Sequence, residues 1–230
     1  MADFPFDAVL FDCDGVLVDS EPITNRVLTD MLGELGWQMS VEETMRIFVG
    51  KMVKDEAPLI EARTGVAIDA DWLTQFRARR NAALDSELQA IDGAADAVHA
   101  LHRTLNGRIA VASGADRVKI ELQLLKAGIL DCFEGRIFSG HEMPRSKPFP
   151  DVYLAAAAGL GVDPKRCAVV EDTVTGATAG VAAGATVFGY CPAELGHSSA
   201  SALHGAGVVH VFGHMAELPG LLAGWRNGAR

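Results

Sequence analysis

The sequence is short of positive charge. Its 230 residues carry 20 Lys and Arg against 30 Asp and Glu, a formal net charge of -10. Duplex DNA and anionic membranes are gripped through clustered Lys and Arg, so no nucleic acid and no membrane is expected as a partner. A phosphate-bearing substrate remains admissible, because a metal ion and a few local cations reverse the field inside one cleft. Long apolar runs are missing as well. The run Ala8 to Phe11 is too short to span a bilayer, and the N-terminus has neither the basic region nor the apolar stretch of a signal peptide. Paired cysteines are absent: Cys13, Cys132, Cys167 and Cys191 form no CxxC and no zinc-like cluster. They read as reduced core thiols in a cytoplasmic protein. No repeat or low-complexity tract stands out beyond the short helix-favouring block Ala155 to Ala158.

What is present is apolar material. A hydrophobic fraction of 49% suffices for a sizeable core in one large domain, or a domain with an insert. Five short runs rich in apolar and β-branched residues recur, Ala8–Asp12, Arg108–Ser113, Arg136–Ser139, Cys167–Asp172 and Ala185–Tyr190, with a weaker sixth at Val208–Phe212. Helix-like stretches at Arg117–Ala127, Val152–Gly159 and Thr175–Ala183 alternate with them. Continuous apolarity suits parallel strands covered on both faces. Strand and helix in series predict an α/β fold with a doubly wound parallel sheet. Such sheets bind ligands outside the carboxyl ends of their strands.

Residues from about Pro22 to Leu88 break this rhythm. They contain no convincing strand and carry helical patterns at Ile23–Leu35, Val41–Phe48, Lys54–Thr64 and Trp72–Leu84. The expected organisation is an α/β core of residues 1–20 and 90–230 with a helical insert of residues 21–89. Hinges are expected near Asp19–Pro22 and Ser86–Gly93, and Trp225 to Arg230 are expected to fray.

Chemistry concentrates at the ends of the apolar runs. In Phe11-Asp12-Cys13-Asp14-Gly15 an apolar strand runs into two carboxylates two positions apart. An extended backbone turns Asp12 and Asp14 to one face and Cys13 to the other. A divalent cation relieves the repulsion between such acids, and hard oxygen ligands suit magnesium. Solvated acids at a turn are the plainer alternative. Val169-Val170-Glu171-Asp172 repeats the pattern, so that alternative would have to be invoked twice. In Ala110-Val111-Ala112-Ser113-Gly114, a hydroxyl and nearby N–H groups at a strand end can hold phosphate oxygens, or Ser113 can simply cap the next helix. Lys147, ahead of Pro148, offers a point charge to phosphate, although a lone loop lysine is usually solvated. The seven histidines, His197 among them, read as surface or structural residues, with no pairing to these strand ends; His141 alone follows a strand end.

Taken in order, these motifs resemble those of the haloacid dehalogenase superfamily of phosphohydrolases, over nearly the whole chain. Motif one is matched by Asp12 and Asp14, motif two by Ser113, motif three by Lys147, and motif four by Glu171 and Asp172. The helical insert is similar to that superfamily's helical cap. The resemblance implies a magnesium site formed by Asp12, the backbone carbonyl of Asp14, and Asp172, with Glu171 near or in the shell. It implies Asp12 as nucleophile forming an aspartyl-phosphate, Asp14 as general acid and base, and Ser113, Gly114 and Lys147 as phosphate-binding groups. Dehalogenases proper lack the second acid of motif one, so Asp14 argues against dehalogenation. The segments Leu84–Gly93 and Val211–Pro219 look most like 6-phosphogluconate phosphatases. The alternative, a β-phosphoglucomutase-like mutase, carries a His where Thr24 stands here and an Arg roughly where Val53 stands. The expected partner is a small phosphorylated metabolite, and the expected state is a monomer. In relatives, the region of Gly50–Lys54 faces the substrate, which makes Lys51 and Lys54 candidates for a substrate carboxylate, with ordinary surface charges the alternative.

Overall fold

The structure is a computed structural model that describes residues 4–193 and 197–226. In chain order, strand β1 (Ala8–Phe11) is followed by helices α1 (Glu21–Glu34), α2 (Val41–Phe48), α3 (Ala57–Thr64) and α4 (Ala70–Glu87). Then come α5 (Ala94–Thr104), β2 (Ile109–Ser113), α6 (Arg117–Lys126), β3 (Ile137–Ser139) and α7 (Asp151–Gly159). The chain continues with β4 (Cys167–Glu171), α8 (Val174–Ala182), β5 (Thr186–Tyr190), α9 (Ala200–Gly205), β6 (His210–Phe212) and α10 (Leu218–Ala223). It divides into two compact units, Met1–Val18 with Ala90–Arg230, and Asp19–Gln89. No helix among the described residues is long and apolar enough to cross a membrane.

The first unit is the doubly wound α/β domain that the apolar runs predict. Its sheet has six strands in the order β3-β2-β1-β4-β5-β6, and every pairing is parallel. β1, β2 and β4 are buried along their whole length, which is why they read as unbroken apolar runs rather than alternating ones. The chain moves outward from β1 through β2 to β3, then returns to the other side of β1 to lay down β4. The strand order therefore reverses between β1 and β4, and at such a switch point a crevice opens beyond the carboxyl ends. Small residues allow the helices to approach closely. Ala156 and Ala157 of α7 are fully buried, and a Cβ on Gly180 of α8 would lie 2.9 Å from the Val187 side chain.

Helix starts are set by side-chain caps. Asp116 accepts from the Lys119 N–H at the start of α6, and Thr173 accepts from the Gly176 N–H at the start of α8. The capping of α6 thus falls to Asp116 and not to Ser113, whose hydroxyl accepts from the Ala115 N–H. Helices α9 and α10 lie outside the helical stretches that the sequence marks out. Trp225 does not fray: its ring meets Phe188 edge-on at 4.9 Å between centroids. Residues 227–230 of the tail expected to fray lie outside the described residues.

The second unit is helical throughout. Val27, Leu28, Met31, Leu32, Phe48, Ile60 and Phe76 form its core, with Trp37 and Trp72 packed against them. Ser40 and Glu43 make a reciprocal capping box at α2, and Asp69 caps α4.

One glycine ties the core fold to its acids. A Cβ on Gly176, in the first turn of α8, would collide with the Glu171 carboxylate. Replacing a helical glycine by alanine normally stabilises, by about 0.5–1 kcal/mol. Here the collision should outweigh that gain. Gly176→Ala is expected to lose about 1–3 kcal/mol in chemical denaturation, the usual cost of overpacking; an unchanged or raised midpoint contradicts this packing.

Candidate active site

Asp12 stands one residue beyond β1, and Glu171 and Asp172 stand at the end of β4, on either side of the switch point. The register pairs Phe11 with Val170, so these acids lie level across adjacent strands. All three are buried, and each offers a carboxylate oxygen within 4.8 Å of the other two. Gathering three acids out of water is unfavourable without cationic partners. Lys147 supplies one. Its Nζ donates to Asp12 Oδ1 at 2.8 Å and to Glu171 Oε1 at 2.7 Å, and it sits 4.8 Å from the centre of the Tyr153 ring. It reaches them from the loop ahead of α7.

Glu171 is saturated. Its Oε1 accepts from Lys147 and from the Tyr153 hydroxyl, the latter at 2.7 Å. Its Oε2 accepts from the N–H groups of Asp172 and Thr173 and from the Thr173 hydroxyl. Five donors fill the roughly four lone-pair sites of a carboxylate. Asp172 is the opposite case. Its Oδ2 takes the His197 ring at 2.5 Å, while its buried Oδ1 has no hydrogen-bond partner among the described residues. An orphaned anionic oxygen beside Asp12, in an all-oxygen donor set, fits a hard divalent cation such as magnesium.

Proton affinities follow from this crowding. Burial pushes the Asp12 carboxyl well above the usual carboxylate range; Lys147 opposes the rise, and Glu171, Asp172 and Asp14 add to it. Asp172 is pushed up to about 6, by burial first, against the His197 hydrogen bond. Burial alone would lower Lys147, but Asp12 and Glu171 outweigh it and hold the ammonium well above its ordinary value.

A family model for the haloacid dehalogenase-like hydrolases matches residues 6–184. The chain belongs to that family. It is 32% identical over 228 residues to the 6-phosphogluconate phosphatase of Escherichia coli K12, covering 95% of this chain and 96% of the relative. Hexitol phosphatase B of the same organism is 32% identical over 178 residues, covering 76% of this chain and 79% of that one. The crystal structure of a family hydrolase from Deinococcus radiodurans, with bound phosphate and sodium, is 37% identical and superposes with a TM-score of 0.73 over 94% of each chain. With these relatives, the chain is a phosphoric monoester hydrolase of the haloacid dehalogenase type.

Within this hydrolase, Asp12, Lys147, Glu171 and Asp172 come together as one cluster. Ser113, fully buried at the end of β2, lies two residues beyond the Phe11–Val111 pairing, on the same sheet edge, with Gly114 after it. Asp14 departs from simple alternation. β1 ends at Phe11, and Asp14 already belongs to a turn that bridges to Val18. Its Oδ1 accepts from Lys119 Nζ and Gln123 Nε2, both at 2.7 Å, and its carboxylate lies outside the trio that can hold a metal. Cys13 turns to the same Gln123. In the helical unit, Lys51 pairs with Glu56 at 3.3 Å, and Lys54 sits in the short turn Val53–Glu56.

One expectation is overturned. His197 does pair at a strand end, with Asp172, a contact that no pattern in the sequence reveals. Tyr153, Lys119 and Gln123 also escape the sequence reading. For Tyr153 the available signal is a buried aromatic hydroxyl, which demands a partner. For the other two it is polar residues one turn apart on a helix face otherwise occupied by Ile120 and Leu124.

The raised Asp172 value has a sign that can be checked. Since it moves from 3.8 to about 6 on folding, ionising Asp172 disfavours the metal-free fold. That penalty is absent below about pH 4 and complete above about pH 6. In chelator, Asp172→Asn should melt above the parent at pH 7, by roughly 2–4 °C per kcal/mol relieved, and the gap should close at pH 4. A variant that melts below the parent at pH 7 contradicts the assignment.

Proposed function

We propose that this hydrolase is a magnesium-dependent phosphatase of a small sugar phosphate, acting through an aspartyl-phosphate on Asp12. The observation that carries the reading is the buried Asp12–Glu171–Asp172 trio with Lys147 inside it and one Asp172 oxygen unpartnered. Magnesium bound there, with Asp12 and Asp172 as its carboxylate ligands, would offset the charge of the phosphoryl group. Glu171, saturated by its own donors, positions Lys147 and Tyr153. The Asp12 carboxylate attacks phosphorus in line, and the bond from phosphorus to the leaving oxygen breaks. Asp14 gives that oxygen its proton, then takes one from the water that attacks phosphorus and frees Asp12. Lys147, the Ser113 hydroxyl and the Gly114 N–H steady the phosphoryl oxygens as charge redistributes.

The substrate reading draws on the relatives, which are named a 6-phosphogluconate phosphatase and a hexitol phosphatase. A sugar-acid phosphate carries a carboxylate that a cation can meet. Lys51 is engaged with Glu56, which makes Lys54 the stronger candidate.

Asp12→Asn should fold cooperatively and release no phosphate above background, because the amide cannot form the acyl-phosphate. Near-parental release from the folded variant would remove Asp12 from the nucleophile role. Exhaustive chelation of the parent should abolish turnover and added magnesium restore it.

Lys54→Met should raise the KM for 6-phosphogluconate about tenfold, the lower part of what a charged hydrogen bond is worth. The same variant should hydrolyse 4-nitrophenyl phosphate as the parent does. Unchanged steady-state kinetics on both substrates would leave Lys54 a surface charge.

A further inference from the structure

The residues that hold Asp14 are more elaborate than a solvated acid requires. Lys119 and Gln123 lie one turn apart on α6, on the face that also buries Ile120 and Leu124. Lys119 is 5% exposed and Gln123 is fully buried. Lysine and glutamine rarely occupy such positions unless paired. Here both donate to the same atom, Asp14 Oδ1, each at 2.7 Å. Two donors converging on one oxygen from neighbouring turns of a rigid helix fix the rotation of the carboxylate about its Cβ–Cγ bond.

A third residue completes the arrangement. The Cys13 thiol donates to Gln123 Oε1 at 3.3 Å, a contact buried on both sides. A thiol with its proton in place requires the oxygen of the Gln123 amide, which leaves the NH₂ end as the one facing Asp14. The sequence of contacts from Cys13 through Gln123 to Asp14 therefore runs in one direction.

We propose that Lys119 and Gln123 are positioning residues for phosphoryl transfer, which hold the Asp14 carboxylate by Oδ1 and fix its orientation, and that Cys13 sets the orientation of the Gln123 amide. This rests on Asp14 as the acid that protonates the leaving oxygen. Neither Lys119 nor Gln123 touches the reacting atoms in this role; each acts through Asp14. With the clamp gone, the carboxyl group rotates, and proton delivery suffers in proportion to how much the leaving group needs it.

Two substrates of nearly equal size separate this from a general structural effect. Phenyl phosphate expels a basic phenolate that needs the proton, and 4-nitrophenyl phosphate expels a stable one that does not. Rapid-quench measurement of the first step should show Gln123→Met losing about tenfold or more on phenyl phosphate, at the weak end of general-acid effects, with a much smaller loss on 4-nitrophenyl phosphate and little change in KM. Lys119→Met should share the pattern, and Lys119→Arg should restore part of it. Cys13→Ser, which keeps a donor, should resemble the parent, whereas Cys13→Ala should shift toward Gln123→Met. In an Asp14→Asn background, Gln123→Met should add no further leaving-group bias, because the group it positions is already lost.

Equal losses on the two substrates, or an undiminished effect of Gln123→Met in the Asp14→Asn background, overturn the clamp. Asp14→Asn alone, assayed on the same pair, distinguishes failure of the underlying reading: no bias there removes Asp14 as the acid, while bias there with none in Gln123→Met removes only the clamp. Should Lys119→Met lack a cooperative melt, Gln123→Met decides, since it removes a neutral group and nearly preserves its volume.

Discussion

The ammonium of Lys147, held between the carboxylates of Asp12 and Glu171, is the contact on which the rest of the site depends. Three acids meet at the carboxyl edge of β1 and β4 in a place almost closed to water. Without a cation among them their mutual repulsion and lost hydration would open the switch point. The lysine answers part of that charge from a loop between β3 and α7, so the sheet, the loop and the acids are specified together. One cation against three acids leaves a deficit, and the unpartnered oxygen of Asp172 marks where it is felt. The donor set left by this arrangement is one that fits a small hard cation.

The neighbouring structure reads as support for this contact. Tyr153, on a helix of alanines close against the sheet, turns its hydroxyl to Glu171 and its ring face to Lys147. Thr173 both caps α8 and donates to Glu171. Gly176 leaves the room that the Glu171 carboxylate fills. Each of these choices costs some freedom elsewhere, and each keeps Glu171 from turning. Asp14 is treated differently, anchored by Lys119 and Gln123 of α6 and set apart from the acids that gather charge.

Much of the architecture was legible because burial on both faces writes itself as unbroken apolar sequence. The stretches Val9-Leu10-Phe11 and Ala168-Val169-Val170 can hardly be anything but central parallel strands, and acids placed directly after them must emerge at one edge. Short amphipathic pieces were not legible. Helices α9 and α10 have six residues each, too few turns for periodicity to declare itself, and Trp225 finds Phe188 only through tertiary packing. The same limit applies within the site. The motif acids announce themselves by position, whereas His197 and Tyr153 meet Asp172 and Glu171 through tertiary contacts that no local pattern encodes. The alternation that would have aligned Asp14 with Asp12 failed because the strand ends at Phe11 and the turn begins before Asp14.

The account stands or falls on Asp12 as the atom donor that takes the phosphoryl group, and chemical trapping tests this most directly. Borohydride reduces an acyl-phosphate but not a free carboxylate, turning the aspartyl side chain into an alcohol that peptide mass spectrometry locates. The protein mixed with magnesium and 6-phosphogluconate, then quenched into borohydride, should carry that alcohol at position 12 and lose it when substrate is omitted. Steady phosphate release with an intact Asp12 and no reduced side chain anywhere would contradict a covalent aspartyl intermediate.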